Sequence, residues 1–322
     1  MDILIKSFNR PYYLDRCLYS IKKHIKGCSN IFVLDDGTPE KYLNKIVQKY
    51  LNVKVLKSDL YSIKSNSIDD LQEFKIPIDL WVKSAEEASD YFLLLEDDFW
   101  MIRDLDLSRI NYDLKDRQIV FLKLFWLGNP KLTTTRIKEK LDRFNIVAPK
   151  LITNSPYLFK LIFSTYGYKF NSLMSFLKLN SFDNILPYYS IYSVAGSVFK
   201  KSYFTNLWID HSNKVDESLQ ILNALKYFKK HPESQVAHAK TECFKTGFNS
   251  SATFGVNQNL KNNLELLKVN SLLNESWLNN EFDVIKDLPN DLYETDIISI
   301  LNKEKTKELR LLKINIENSV VK

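Results

Sequence analysis

The stretch Tyr91-Phe92-Leu93-Leu94-Leu95-Glu96-Asp97-Asp98-Phe99 decides how this chain is read. Five apolar residues run directly into three carboxylates. An apolar run of that length with polar bounds is the pattern of a strand buried on both faces of a parallel sheet. Three acids at the end of such a strand cannot all stay ionised unless something offsets their charge, because a buried, unpaired carboxylate is strongly disfavoured. A divalent cation that also holds phosphates would do so. A solvated acidic turn is the plain alternative.

Working outward, Asp2–Ser7 reads as a strand and Asn9-Arg10-Pro11 opens a helix, with Asn9 as N-cap and Pro11 in the first turn. Leu14, Cys17, Leu18, Ile21 and Ile25 follow at helical spacing, and Gly27 is the expected terminator. Residues 31–34 form a second strand that runs into Asp35-Asp36-Gly37-Thr38-Pro39, and 53–56 a third. Strand, helix and strand in units of about 25–30 residues predict βαβ topology with a parallel sheet. Downstream, 119–127 is another buried strand, and 131–190 reads as an irregular lobe rich in aromatics and lysine over the sheet edge. Residues 191–199 form a strand broken by Gly196, and 215–230 a helix with Asp216 and Glu217 at its start. A short strand at 234–239 carries His238, and helices follow beyond 256.

With 322 residues the chain can build one large α/β domain or two smaller ones, and its 45% hydrophobic and 26% charged residues suit a globular fold. No stretch approaches the ~18–20 uninterrupted apolar residues of a membrane span. A strand that begins at Asp2 leaves no room for a cleaved leader, so a cytoplasmic location is expected. Cys17, Cys28 and Cys243 make an odd count without metal-ligand spacing, which suits reduced thiols. The net charge of +6 comes from scattered lysines rather than a basic block, so nucleic-acid binding is not expected.

In an open parallel sheet, ligands sit at the carboxyl ends of the strands. Three predicted strands end there in polar groups: Ser7 to Arg10, Asp35-Asp36-Gly37 and Glu96-Asp97-Asp98. Neither G-x-G-x-x-G after the first strand nor G-x-x-x-x-G-K-[ST] occurs, which argues against a dinucleotide dehydrogenase and a P-loop enzyme. Phosphates would have to be held by a cation and side chains.

The order of these features resembles a GT-A fold glycosyltransferase of the broad family-2-like group of nucleotide-sugar transferases. The likeness covers residues 1–105 well and 190–250 more loosely. It implies an α/β, Rossmann-like fold with a mostly parallel central sheet flanked by helices and a helical C-terminal extension. The expected division is 1–130 for the nucleotide-sugar half, 131–255 for the acceptor half and 256–322 for the extension. Carried onto this sequence, the resemblance implies that Asp35 or Asp36 contacts the base or ribose. Asp98 would bind Mn²⁺ or Mg²⁺, with Glu96 and Asp97 beside the ribose and the metal's waters. Gly196 would lie in the loop near donor and acceptor, and His238 would complete the metal site. Ser7, Asn9, Arg10 and Lys240 would help hold the donor, and Asp216 or Glu217 would be the catalytic base. Two acids in the first turn of a helix are also what the macrodipole alone favours.

The implied activity is a metal-dependent, inverting transfer of a sugar, with a UDP-sugar favoured as donor, to a hydroxyl of a glycan or lipid-linked glycan. The lysine-rich lobe suggests peripheral contact with the inner face of a membrane. The alternatives are an enzyme like the sugar-phosphate nucleotidyltransferases, or a non-catalytic protein that binds glycan or nucleotide on the same scaffold.

Overall fold

A computed structural model of the chain describes residues 1–67, 75–163, 178–247 and 260–303. The strands, in chain order, are β1 (Asp2–Ser7), β2 (Ile25–Lys26), β3 (Ile31–Asp35), β4 (Val53–Lys57), β5 (Tyr91–Glu96), β6 (Phe99–Met101), β7 (Leu105–Asp106), β8 (Ile119–Lys123), β9 (Thr135–Lys140), β10 (Phe144–Pro149), β11 (Ser197–Lys200), β12 (Gln235–Ala239) and β13 (Phe244–Thr246). Nine of them make one sheet in the order β4-β3-β1-β5-β11-β8-β12-β10-β9. The β4-β3-β1-β5 half is wholly parallel, as the βαβ spacing predicts. Strand β11 runs antiparallel between β5 and β8, and β12 is parallel to β8.

Alternation along β5 explains why its apolar run has no polar break. Tyr91, Leu93 and Leu95 enter the core on one face of the sheet, and Phe92 and Leu94 the core on the other. The carboxylates begin where β5 leaves the sheet, so one short segment must pass from dry core to polar site.

Three expectations are corrected. The helix Pro11–His24 carries Pro in its first turn, but its N-cap residue is Arg10. Asn9 takes the left-handed φ of 49° instead and donates its backbone N–H to Thr38 Oγ1 at 2.8 Å. The 131–190 stretch is not an irregular lobe throughout, because its first part is the β9–β10 hairpin, which extends the main sheet by two antiparallel strands. Alternation in Thr135–Lys140 is weak, with charges on most positions, which suits an exposed edge strand and hides it from a hydrophobic pattern. Residues 191–199 are not one strand, since only Ser197–Lys200 pairs and a 3₁₀ turn spans Leu186–Ser190.

The C-terminal helices are not an appendage. Helix Leu260–Leu278 puts Val269, Leu273 and Trp277 into the same core as β1 and helix Pro11–His24. Trp277 Nε1 donates to Asp15 Oδ2 at 2.8 Å, and Asn274 Nδ2 donates to Asn9 at its carbonyl and Oδ1. The loop that ends β1 is therefore braced from behind by this helix. Among the described residues no helix is long and apolar enough to cross a membrane. All three cysteines are free thiols.

Candidate active site

Each acid at the end of β5 meets a different partner. Glu96 pairs with Lys6 of the neighbouring β1 at 2.7 Å, a contact set by the register Lys6 to Glu96. Arg10 reaches across from the helix start: Nη2 lies 2.5 Å from Asp97 Oδ1 and Nη1 lies 3.0 Å from Asp98 Oδ2. Asp97 Oδ2 also accepts the backbone N–H of Phe8. Burial works against the charge on Arg10, but Asp97 and Asp98 outweigh it and keep the guanidinium protonated. Glu96 is likewise penalised by burial, and Lys6 more than compensates, so its pKa falls. Asp98 fares differently. Burial first, then repulsion from Glu96 and Asp97, outweigh the help from Arg10 and push its carboxyl up to about 7.

Two cations thus face three carboxylates among the described residues, and burial outweighs the help from Arg10 at Asp97 as well as at Asp98. Asp98 Oδ1 is buried and has no hydrogen-bond partner among the described residues. That atom answers whether these residues fit the implied metal. A Mg²⁺- or Mn²⁺-type ion is often held by one or two carboxylates together with substrate phosphates and water. Asp98 Oδ1 fits such a role, with Glu96 lining the same cavity. An all-protein cage does not fit, since no three His, Cys, Asp or Glu groups gather to hold a metal among the described residues.

The cavity has a volume of 410 Å³ and opens at the carboxyl ends of β5 and β8. Glu96, Asp98 and Glu217 reach it from one set of elements, and Phe99, Phe125, Trp126 and Tyr189 give it aromatic walls. Glu217 is the first residue of helix Glu217–Lys230 and takes a hydrogen bond from the Tyr189 hydroxyl on Oε2. Asp216 is the N-cap of that helix, with its side chain accepting from Leu219 N at 3.0 Å, and it is exposed. The two acids that sequence could not tell apart therefore have separate jobs, cap and cavity wall.

Other expected residues lie elsewhere. Asp35 spends both carboxylate oxygens on the turn after β3, accepting from Gly37 N, Thr38 N and Thr38 Oγ1. Burial raises its pKa to about 6 despite these donors. Asp36 accepts from Ser58 at 2.6 Å and is paired with Lys64 at 2.5 Å. Ser7 is in register with Asp35, and Ser7, Asn9, Arg10, Asp35 and Asp36 are not among the residues that line the cavity, although Arg10 touches Asp98, which does. Gly196 has a φ of 68°, and a Cβ there would meet Phe125 and Phe99 at 2.8 Å. Only glycine lets these cavity rings pack so closely on the backbone. Lys240 is exposed past β12 and does not line the cavity.

His238 is not brought to Asp98. It lies on β12 beside Lys123, and its Nε2 is 3.0 Å from the Ser190 carbonyl oxygen. Burial pulls its pKa down to about 4, so the ring is neutral and its Nε2–H is the donor. It serves the backbone and is not part of the cavity lining.

Sequence reading missed Lys123. It sits inside an otherwise apolar strand (IVFLK) and is 2% exposed, yet it lines the cavity. Burial lowers its pKa to about 7. A lysine at the carboxyl end of a buried strand was the available signal, but the strand was taken to continue to 127. Tyr189 carried no signal, since 17 tyrosines dilute any one.

No family model matches the chain, and no curated protein sequence matches it. Solved structures do resemble it. S. aureus TarS is 12% identical with a TM-score of 0.45, over 94% of this chain and 42% of that one, so the chain spans less than half the length of TarS. TarS 1–349 in complex with UDP-GlcNAc is 14% identical with a TM-score of 0.44, over 94% of this chain and 70% of that one. Glucosyl-3-phosphoglycerate synthase from Mycobacterium tuberculosis, in complex with Mn²⁺, UDP and phosphoglyceric acid, is 10% identical with a TM-score of 0.41, over 85% and 77%.

Proposed function

We propose that this protein is a metal-dependent, inverting glycosyltransferase that uses a nucleotide-sugar donor, with a UDP-sugar favoured, and a hydroxyl of a glycan or lipid-linked glycan as acceptor. One observation carries the reading. Asp98, which carries a buried carboxylate oxygen without a hydrogen-bond partner among the described residues, and a second carboxylate, Glu217, belong to the lining of one aromatic-walled cavity at the carboxyl ends of the strands. Transfer of a glycosyl group needs those two functions in one place.

A Mn²⁺ or Mg²⁺ on Asp98 would supply charge stabilisation to the departing diphosphate. Glu217 accepts the proton of the acceptor hydroxyl. The acceptor oxygen forms a bond to the anomeric carbon, the bond from that carbon to the diphosphate oxygen breaks, and the electron pair leaves with the nucleoside diphosphate. One base and in-line attack invert the anomeric centre. Phe125, Trp126 and Tyr189 offer aromatic faces suited to sugar rings. Lys6 pairs with Glu96 and Arg10 with Asp97, and neither contact occupies Asp98 Oδ1.

The test is release of nucleoside diphosphate from UDP- and GDP-sugars with Mn²⁺ present. Turnover that requires the cation and is lost in Asp98→Asn and in Glu217→Gln supports the reading. A chain that turns over none of these donors, or one in which both variants keep full activity, contradicts it.

A further inference from the structure

Four consecutive carbonyl oxygens, those of Tyr189, Ser190, Ile191 and Tyr192, are each bound by a side chain from another element. Lys123 Nζ donates to Tyr189 O at 3.0 Å and to Tyr192 O at 3.3 Å. His238 Nε2 donates to Ser190 O at 3.0 Å, and the Tyr203 hydroxyl donates to Ile191 O at 2.5 Å. The segment runs from the last two residues of the 3₁₀ turn Leu186–Ser190 toward β11, where no sheet ladder serves it, so these side chains take the ladder's place. The choice is costly. Burying an ammonium and an imidazole is less favourable than burying apolar residues of similar volume. What the segment gains is a fixed backbone under Tyr189, whose hydroxyl donates to Glu217 Oε2. Glu217 Oε1 accepts from no described group, and Glu217, Tyr189 and Lys123 all line the cavity.

We infer that Tyr189 is a positioning residue for the catalytic base. Its hydroxyl fixes the Glu217 carboxylate so that Oε1 is presented to the acceptor hydroxyl, and Lys123 with His238 fix Tyr189. The inference rests on the proposed role of Glu217. Tyr189 takes no proton and forms no bond in the reaction, since the acceptor's proton goes to Glu217. Its effect is on the orientation of one carboxylate, and it is felt in the chemical step rather than in donor binding.

The experiment is a double-mutant cycle of Tyr189→Phe and Glu217→Gln, read as UDP release from UDP-glucose and UDP-GlcNAc with Mn²⁺, with thermal unfolding recorded for each variant. Tyr189→Phe keeps the ring and removes one oxygen. Its expected effect is a fall in kcat of about 10–100-fold, the size of one hydrogen bond to a charged group, with KM for the donor within about twofold. On the Glu217→Gln background the same change is expected to do nothing further, because the group it orients is gone. An equal fold-loss on both backgrounds overturns the positioning role, as does an unchanged kcat in Tyr189→Phe. Full activity in Glu217→Gln alone overturns the base itself and is read without reference to Tyr189.

Discussion

Arg10 Nη1 binds one oxygen of Asp98 at 3.0 Å and leaves the other, Oδ1, buried without a partner among the described residues. The same guanidinium satisfies Asp97 at 2.5 Å. One arginine therefore stabilises an acidic cluster while leaving one oxygen of a cavity-lining aspartate unused.

Removing Arg10 would strand two buried carboxylates. Arg10→Met is expected to destabilise the chain by roughly 3–5 kcal/mol, the range for breaking a buried pair by deleting one partner. Urea unfolding at pH 7 measures it. Adding Asp97→Asn should recover a large part of the loss, and a wild-type midpoint in the single variant would mean that the pairing contributes little.

Asp98→Asn removes one buried negative charge and keeps the shape. Arg10 retains Asp97, so the unfolding temperature is expected to stay within a few degrees of the wild type or to rise. Mn²⁺-dependent turnover is expected to disappear. A variant that unfolds and also binds no cation would instead point to a structural duty for Asp98.

Asp216 and Glu217 are neighbours with separable effects. Asp216→Ala removes an N-cap and is expected to cost about 0.5–2 kcal/mol with kcat unchanged. Glu217→Gln is expected to keep stability and to reduce kcat by on the order of 10²–10⁴-fold, the usual contribution of a general base. The reverse pattern would assign the base to Asp216.

His238 makes stability depend on pH. Burial holds its folded pKa at about 4 against an ordinary value of 6.5. Below 6.5 the unfolded chain takes up a proton that the folded chain refuses, so stability is expected to fall as pH drops from 6.5 toward 4. The size is on the order of 3 kcal/mol across that window. His238→Gln should flatten this part of the profile. An unchanged slope would mean that other groups set it.

How much of this was legible beforehand differs by region. The β1-β3-β4-β5 half could be read because strands buried on both faces leave continuous apolar runs, and 91–95 is such a run. The edge hairpin β9–β10 could not, since Thr135–Lys140 is mostly charged and has only Ile137 to mark it. Asp98, Glu96 and Glu217 were named as site residues, and the fold brings them into one cavity. Which of Asp216 and Glu217 faces that cavity depends on the helix start, which spacing alone does not give. The contact of His238 with the Ser190 carbonyl was not legible, because a histidine that serves a carbonyl looks, in sequence, like one that binds a metal. Lys123 left one signal, a charge at the end of an apolar strand, but its partners and the role of Tyr189 depend on the path of 186–192, a short 3₁₀ turn and loop with no periodicity to read.

The central claim is that Asp98 anchors a cation that holds a nucleotide diphosphate. Calorimetric titration of UDP into the wild-type chain and into Asp98→Asn, each with and without Mn²⁺, tests it most directly. Wild-type affinity for UDP is expected to fall at least about tenfold when Mn²⁺ is withdrawn, and Asp98→Asn to bind equally weakly with or without the ion. The same UDP affinity in all four titrations would contradict it.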